Sequence, residues 1–203
     1  MNRIYEFLIS LVLVVALFAV VALFLPAKRT VQFQTESNRP ISTVYDVLNG
    51  FNRFDEWNVL RSDPLLKSQI SDPATGVGAK LSYSSLTRST GSGKWELVES
   101  VPDKLVKFKI EDNTQGHDKT LSIYLGRTGP NNKNTEIVEV YEVDYGWNLL
   151  GRYAGLYVDR NIGDKMKSGG KRLNTFLATI PKLSYADREN PISFIDLPAT
   201  NVL

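Results

Sequence analysis

The sequence predicts an α+β fold in which a curved antiparallel sheet wraps around one long C-terminal helix, preceded by one transmembrane helix. Three observations predict it: a continuous apolar run near the N-terminus, a series of short alternating segments, and a long stretch of helical periodicity after them. About 175 residues follow the apolar run, enough for one domain with a sizeable core. We expect a transmembrane anchor at 4–26, a domain at 30–180 and a C-terminal tail at 181–203.

The apolar run Phe7–Leu25 predicts a helix that crosses a bilayer. About twenty residues form a helix of roughly 30 Å, the thickness of the hydrocarbon core, and Ser10 is the one polar residue in the run. A cleaved signal peptide is the alternative, but its apolar core has roughly 7–15 residues and precedes a small-x-small site. Because this run is longer and Pro26-Ala27-Lys28-Arg29 follows it, we favour an uncleaved anchor.

The charges that flank the run are nearly balanced, with Arg3 before it and Lys28 and Arg29 after it. A short N-terminal segment with an early arginine is typical of anchors that keep this segment in the cytoplasm. We therefore expect a single-pass protein of the cytoplasmic (inner) membrane and favour the periplasmic side for its domain. The chain has no cysteine, which excludes disulfides and thiolate metal sites.

The charge of the domain argues against nucleic acid as a partner. Three of the 24 basic residues and one of the 22 acidic residues precede Thr30, which leaves 21 of each in the rest of the chain. A formally neutral domain has no electrostatic reason to bind a polyanion or to bind anionic headgroups strongly. The expected partners are the membrane, through the N-terminal helix, and a molecule that the domain binds by other means.

Alternation of apolar and polar residues between turn signals predicts seven short strands, which we expect to form an antiparallel meander. The clearest is Lys104–Glu111, where Val106, Phe108 and Ile110 alternate with charged residues. The predicted strands are Thr30–Glu36, Leu65–Ile70, Ala79–Ser84, Lys94–Ser100, Lys104–Glu111, Thr120–Leu125 and Glu136–Tyr145.

Two short helices are predicted after the first strand, and a long one after the last. Pro40 suits the first turn of a helix that Gly50 would end, and a second short helix follows. Apolar residues at three- and four-residue spacing predict a helix over Leu149–Ile180, interrupted by Gly155, Gly163, Gly169 and Gly170. Each glycine costs roughly 1 kcal/mol in a helix interior, so we infer a kink or a face that approaches another element closely. In the tail, Ile192–Ile195 could add a strand to a sheet edge, although we favour loose order there.

Four strings in this order of elements resemble the START-like, or SRPBCC, superfamily, which includes polyketide cyclase/dehydratase-type proteins, and in particular its bacterial membrane-anchored members. The strings are FNRFDEW at 51–57, GVGAKLSY at 76–83, GSGKWELVES at 91–100 and GRYAGLYVDR at 151–160. The resemblance implies the helix-grip fold, in which the sheet and the long helix enclose a volume for an apolar ligand. It says little about function, because this fold serves many tasks.

Three kinds of enzyme chemistry are excluded or disfavoured by the residues. The one histidine, His117, lies in a polar turn without a nucleophile pattern beside it, which argues against a Ser/His/Asp mechanism. No metal-ligand motif occurs, and we expect no metal and no cofactor. Thr90-Gly91-Ser92-Gly93-Lys94 lacks phosphate-loop spacing and leads into a strand, so we interpret it as a turn.

Aromatic residues with a polar group are abundant, and such side chains suit a partly hydrated cavity. Ordinary core packing is the alternative for each of them. The residues that we predict to line a ligand cavity are Trp57, Tyr83, Trp95, Phe108, Glu139, Tyr141, Tyr145, Tyr153, Tyr157 and Met166. The resemblance to cyclase and dehydratase relatives implies Glu139, Tyr141 and Tyr145, with Arg152 or Arg160, as candidates for catalysis. Glu139 is the candidate general base, since a carboxylate among aromatics can have a raised pKa. The alternatives are that it orients a ligand, or that it faces water or pairs with a helix arginine.

Three functions remain open. The one that we favour is a membrane-anchored, non-enzymatic binding protein that holds a hydrophobic small molecule or lipid between the sheet and the C-terminal helix. The second is an enzyme of the polyketide cyclase/dehydratase type. The third is a non-catalytic envelope protein that acts as a subunit or regulator of a membrane complex through a membrane-protein partner.

Overall fold

The computed structural model describes residues 2–88 and 90–181, which form one long antiparallel sheet, five α-helices and their connections. The segment Ile192–Ile195 lies outside the described residues. The helices are α1 (Asn2–Phe24), α2 (Ile41–Leu48), α3 (Phe54–Trp57), α4 (Leu149–Ala154) and α5 (Val158–Thr179). The strands are β1 (Lys28–Ser37), β2 (Lys67–Ile70), β3 (Lys80–Ser84), β4 (Ser92–Val101), β5 (Leu105–Asp112), β6 (His117–Thr128) and β7 (Asn134–Asp144).

The sheet has the order β1-β7-β6-β5-β4-β3-β2, with every neighbouring pair antiparallel. This meander, curved around the long C-terminal helix, confirms the predicted fold class. All seven predicted strands are present, and most extend one to three residues further than the alternation indicated. The sheet is one-sided: β5 has buried Val106, Phe108 and Ile110 alternating with more exposed residues, so its inner face carries the core.

Helix α5 packs across β1 through small residues. Gly170 lies against the ring of Phe33, and Asn174 Nδ2 donates to Thr35 Oγ1 at 2.9 Å. The buried guanidinium of Arg39 donates to the carbonyls of Leu177 and Ala178, which caps the C-terminal end of α5. These contacts fix the distance between helix and sheet and leave a gap farther along α5.

The long helical segment is not continuous, which corrects the prediction of one helix over Leu149–Ile180. Helix α4 ends at Ala154, a 3-10 turn covers Gly155–Tyr157, and α5 begins at Val158. Gly155 lies at this break, and a Cβ there would come within 2.9 Å of the ring of Tyr145. Gly155 therefore serves both purposes that we inferred, a break in the helix and close packing.

Helix α1 is long and apolar enough to cross a membrane over Arg3–Phe24, and nearly all of it is exposed. The Ser10 hydroxyl donates to the carbonyl of Glu6, so the one polar side chain in the apolar run is satisfied within the helix. Ala22, near the end of α1, is fully buried against the domain. The helix thus contacts the rest of the chain only near its C-terminal end, among the residues that the structure describes.

Candidate functional site

A cavity of about 600 Å³ lies between the concave face of the sheet and α5. Four aromatic side chains form much of its wall, namely Trp57, Tyr83, Trp95 and Tyr141. Aliphatic residues complete the wall, namely Leu60, Ile110, Leu121, Ile162 and Met166. Four carboxylates also line it, namely Asp63, Asp112, Glu139 and Asp164. The cavity is therefore mainly apolar, with polar groups at a few defined points.

Six of the ten predicted residues line this cavity: Trp57, Tyr83, Trp95, Glu139, Tyr141 and Met166. Their contact with a ligand stays a prediction. The other four lie elsewhere: Phe108, Tyr145, Tyr153 and Tyr157.

Each of the four has a different environment from the one that we predicted. Phe108 is fully buried behind the wall, where its ring packs against Phe51 and Trp95. Tyr145 follows the last residue of β7 and is covered by α4. Tyr153 contacts α1, and Tyr157 is 64% exposed. The break after α4 changes which way these helix residues face, and a periodicity that assumed one continuous helix could not show this.

The aromatic wall is held by edge-to-face packing. The Phe54 ring centroid lies 5.3 Å from that of Trp57 and 5.1 Å from that of Trp95, in T-shaped arrangements that aromatic rings favour. Trp57 is buried, and its Nε1 has no hydrogen-bond partner among the described residues. An unsatisfied buried donor costs about 1–3 kcal/mol. This nitrogen has almost no accessible surface, so it lies within the packed wall and not at the surface of the cavity.

Glu139 lies near the middle of β7, opposite Phe33 of β1 and Ile123 of β6. It is 4% exposed, and burial alone raises the pKa of its carboxyl to about 7. Within residues 2–88 and 90–181, no ion pair or side-chain hydrogen bond involves this carboxyl. At neutral pH both protonation states are populated, so the group can donate or accept a hydrogen bond or a proton.

Neither exposure of Glu139 to water nor its pairing with a helix arginine is observed. Arg152 donates to backbone carbonyls near Gly146 and at the end of α1, and Arg160 is exposed on the surface. The carboxyl is buried, and within the described part of the chain no arginine pairs with it.

A buried ion pair that the sequence analysis missed lies at one end of the cavity. Lys119 is 2% exposed, and its Nζ donates to Asp112 and to both side-chain and backbone oxygens of Thr114, the latter two at 2.8 Å. Burial favours the neutral form of Asp112, but the hydrogen bonds from Lys119 and Thr114 outweigh it and hold its pKa below the usual range. Extending the alternation of β6 back by one inward position would have found Lys119.

This carboxylate also affects the tyrosines of the wall. Burial, with a smaller contribution from the charge of Asp112, raises the pKa of Tyr83 to about 12 and raises that of Tyr141 as well. Both phenols are therefore protonated across the physiological range and can act as hydrogen-bond donors in the cavity.

The mouth of the cavity lies between α5 and two loops. Exposed residues at the mouth include Pro64, Asp164 and Lys165. Asp63 accepts hydrogen bonds from Ser85 Oγ at 2.7 Å and Thr87 Oγ1 at 3.1 Å. Hydrogen bonds to its carboxylate lower the pKa of Asp63 to about 2, and the bond from Thr90 has the largest effect. The loop between β3 and β4 is thereby fastened to the segment before β2.

This mouth is at the same end of the sheet as the C-terminal end of α1. The register of neighbouring strands places six strand ends along this end of the sheet, namely Lys28, Asp144, His117, Asp112, Ser92 and Ser84. We call this the α1 end of the sheet. Thr87, Thr90 and Thr114, which line the cavity, belong to loops at this end.

His117 is also at this end but outside the cavity, where its exposed Nδ1 contacts Asp118 Oδ2 at 2.8 Å. Within the described part of the chain, no group of three or more His, Cys, Asp or Glu side chains is arranged to hold a metal ion.

No protein-family model matches the chain, and no curated protein matches it. Solved structures do. A truncated norcoclaurine synthase from Thalictrum flavum aligns with a TM-score of 0.61 and 11% identity over 76% of this chain and 96% of that chain. The same enzyme in complex with dopamine and hydroxybenzaldehyde aligns with a TM-score of 0.57 and 13% identity over 76% and 90% of the two chains.

A structural-genomics protein from Chromobacterium violaceum aligns with a TM-score of 0.53 and 14% identity, covering 73% of this chain and 96% of that chain. At such identities the similarity concerns the fold alone. The chain therefore has the helix-grip fold that the resemblance of its sequence strings implied.

Proposed function

We propose that the chain is a membrane-anchored binding protein that holds a hydrophobic small molecule or lipid between its sheet and α5. The observation that carries this proposal is the cavity of about 600 Å³ with its aromatic wall. Pockets that bury small molecules have volumes of roughly 300–1,000 Å³ and mostly apolar linings. The fold neighbour norcoclaurine synthase, solved with dopamine and hydroxybenzaldehyde, is a case in which this fold accommodates small aromatic molecules.

The position of the mouth supports loading from a bilayer. The mouth is at the α1 end of the sheet, and α1 is long and apolar enough to span a membrane. Apolar molecules partition into the bilayer, so an anchored domain would meet its ligand there at high local concentration. We assign α1 to the inner membrane and the domain to the periplasmic side, which protease accessibility in spheroplasts and in inverted vesicles would test.

The polar groups of the cavity restrict the ligand. Tyr83 and Tyr141 supply protonated phenols. The ligand that fits is mainly apolar and carries at least one hydrogen-bond acceptor. The protein would extract, shield and present this molecule without forming a bond to it.

The test is to purify the full-length chain from membranes in mild detergent and to analyse its organic extract by mass spectrometry. We expect one apolar compound close to one equivalent per chain. Gly169→Leu should lose it, because Gly169 lines the cavity and the leucine side chain would occupy the space. Gly169→Ala is the matched control and should retain it, since a Cβ there meets nothing closer than 3.8 Å.

Binding of a neutral fluorescent probe such as N-phenyl-1-naphthylamine gives an independent readout. The wild type and Gly169→Ala should bind it, and Gly169→Leu should bind it more weakly. An empty wild-type extract together with equal probe binding in all three proteins would refute the proposal.

An enzyme that transfers protons is the second candidate, and the environment of Glu139 favours it. Its carboxyl is buried inside the cavity with a pKa of about 7, which suits a general acid or base at neutral pH. The test is to incubate the extracted compound with the wild type and with Glu139→Gln. If the chain is an enzyme, the wild type will convert the compound and the variant will bind it without converting it. If the compound is recovered unchanged from both proteins, the enzyme is refuted and the binding protein remains.

A further inference from the structure

Arg152 fastens α4 to the C-terminal end of α1. Its Nη1 donates to the carbonyls of Ala22, Leu23 and Leu25 at 3.2–3.4 Å, and its Nε and Nη2 donate to the carbonyl of Gly146 at 3.0 and 2.8 Å. The last carbonyls of a helix lack intrahelical partners and carry partial negative charge. A buried guanidinium satisfies them here, so the end of α1 is held against the domain rather than joined to it by a free linker.

Tyr153 extends this contact along α1. Its hydroxyl donates to the carbonyl of Phe18 at 2.9 Å, and the two ring centroids are 5.9 Å apart. Phe18 is seven residues before Leu25, the last residue of the apolar run. At a rise of 1.5 Å per residue, α4 therefore reaches about 10 Å along α1 from the end of that run.

Beside this contact the chain exposes apolar side chains to an unusual extent. Trp147 is 83% exposed and Leu150 is 79% exposed, and Leu156 and Tyr157 are also exposed. These four residues form what we call the α4 patch. The guanidinium carbon of Arg152 lies 5.8 Å from the centroid of the Trp147 ring, which places this indole next to the end of α1. Through Trp147 the patch thus adjoins the C-terminal end of α1, whose apolar side chains are also exposed.

We propose that the α4 patch inserts into the interfacial layer of the same bilayer that α1 spans. This inference rests on the anchoring half of the proposed function and not on the identity of the ligand. If the run Phe7–Leu25 crosses the hydrocarbon core, the hydroxyl of Tyr153 sits about 10 Å below its boundary, so α4 cannot lie outside the membrane. Tryptophan and tyrosine concentrate in this layer because their rings are amphipathic.

One consequence concerns the cavity. Its mouth and the α4 patch are both at the α1 end of the sheet, so insertion of the patch turns the mouth towards the headgroups. The loop that carries Thr87 and Thr90 joins β3 to β4, which are five and four strands from β1, so at about 5 Å per strand it lies roughly 20–25 Å across the sheet from β1. In the proposed orientation this loop faces the same bilayer surface as the α4 patch.

The absence of cysteine makes site-directed spin labelling direct. The full-length chain carrying Leu150→Cys is labelled, reconstituted in phosphatidylcholine vesicles and compared with Val77→Cys. Val77 is 60% exposed, in the connection between β2 and β3 at the opposite end of the sheet. We expect the Leu150 label to collide with oxygen, which concentrates in lipid, far more than with a water-soluble nickel chelate. The Val77 label should show the reverse.

Tryptophan quenching is the second measurement, because Trp57 and Trp95 are buried and Trp147 is exposed. Lipids brominated near the headgroup should quench the wild-type emission, and Trp147→Phe should lose most of that quenching. Resistance to carbonate extraction reports separately whether α1 is inserted.

The outcomes separate the α4 patch from the anchor. If α1 is inserted but the Leu150 label is exposed to water, insertion of the patch is refuted and the anchor stands. If carbonate extracts the chain from the vesicles, both the anchor and insertion of the patch are refuted. A Leu150 label shielded from both collision reagents means that protein covers the patch, which overturns the assignment to lipid. None of these outcomes bears on whether the cavity holds a ligand.

Discussion

Gly170 of α5 lies so close to Phe33 of β1 that a Cβ on the glycine would come within 2.7 Å of the phenylalanine ring. This contact sets the separation between the helix and the sheet at one side of the cavity. Its neighbour Gly169, also buried in α5, has no atom closer than 3.8 Å to the same added carbon. The two adjacent glycines thus differ in the space available for a side chain, and the effect of this difference on stability can be measured.

Overpacking usually costs about 1–3 kcal/mol, and replacing a glycine by alanine in a helix gains about 1 kcal/mol. We therefore expect Gly170→Ala to lower the free energy of unfolding by the difference between these two values. Gly169→Ala should be neutral or stabilising by up to about 1 kcal/mol. Urea unfolding of the two variants in the same detergent measures both. Equal stabilities would show that α5 can move away from Phe33 without cost.

The pKa of Glu139 predicts how stability depends on pH. Its value of about 7 in the folded chain exceeds the ordinary 4.5, so the folded state binds more protons between these values. The contribution of Glu139 to the free energy of unfolding is therefore fully present below pH about 4.5 and is lost as the pH rises through about 7. It amounts to about 3 kcal/mol, since each pKa unit corresponds to roughly 1.4 kcal/mol.

Glu139→Gln cannot ionise and should lack this contribution. The free energy of unfolding of the wild type relative to the variant should therefore fall by about 3 kcal/mol between pH 4.5 and 8. Denaturation series at several pH values check it. Parallel curves for the two proteins would contradict the raised pKa.

The pair of Lys119 and Asp112 should behave as one unit. Lys119→Met leaves a largely buried carboxylate without its cation, and breaking a buried pair costs about 3–5 kcal/mol. Because the side chain of Asp112 keeps 17% exposure, we expect the lower end of this range. The double variant with Asp112→Asn should recover part of the loss, and a double-mutant cycle measures the coupling. Additive losses would mean that the two groups do not interact.

The hydrogen bonds of Asp63 should hold the loop at the mouth of the cavity. Asp63→Ala removes the acceptor for Ser85 and Thr87, so the loop between β3 and β4 should open more often. Faster amide hydrogen exchange over 85–91, with β5 unchanged as an internal control, is the expected result. Because the pKa of Asp63 is about 2, the wild-type loop should keep its protection down to low pH. Unchanged exchange in the variant would contradict this role.

Much of the fold was predictable because the responsible patterns lie within single elements. The alternation of Val106, Phe108 and Ile110 predicts a one-sided strand whatever packs on it, and β5 has that pattern of burial. The inward direction of Glu139 and Tyr141 followed from the same alternation, which also put both of them in the cavity. Lys119 was missed because the alternation in β6 was begun one residue too late.

The assignment of the tyrosines could not be made in the same way. Tyr153 and Tyr157 have the spacing of a helix face, but the break at Gly155 turns one towards α1 and leaves the other exposed. Phe108 points inward as predicted, yet its ring packs against Phe51 and Trp95 and does not line the cavity.

The apolar helix, the strands and the order of elements follow from local sequence, since they depend on the residues of each segment and on short-range periodicity. The position of the cavity, the aromatic residues that line it and the contacts of Arg152 and Tyr153 with α1 become visible only when the chain is folded. A side chain's partner is set by the packing of distant segments, so two positions with identical local patterns can face a cavity, another helix or water.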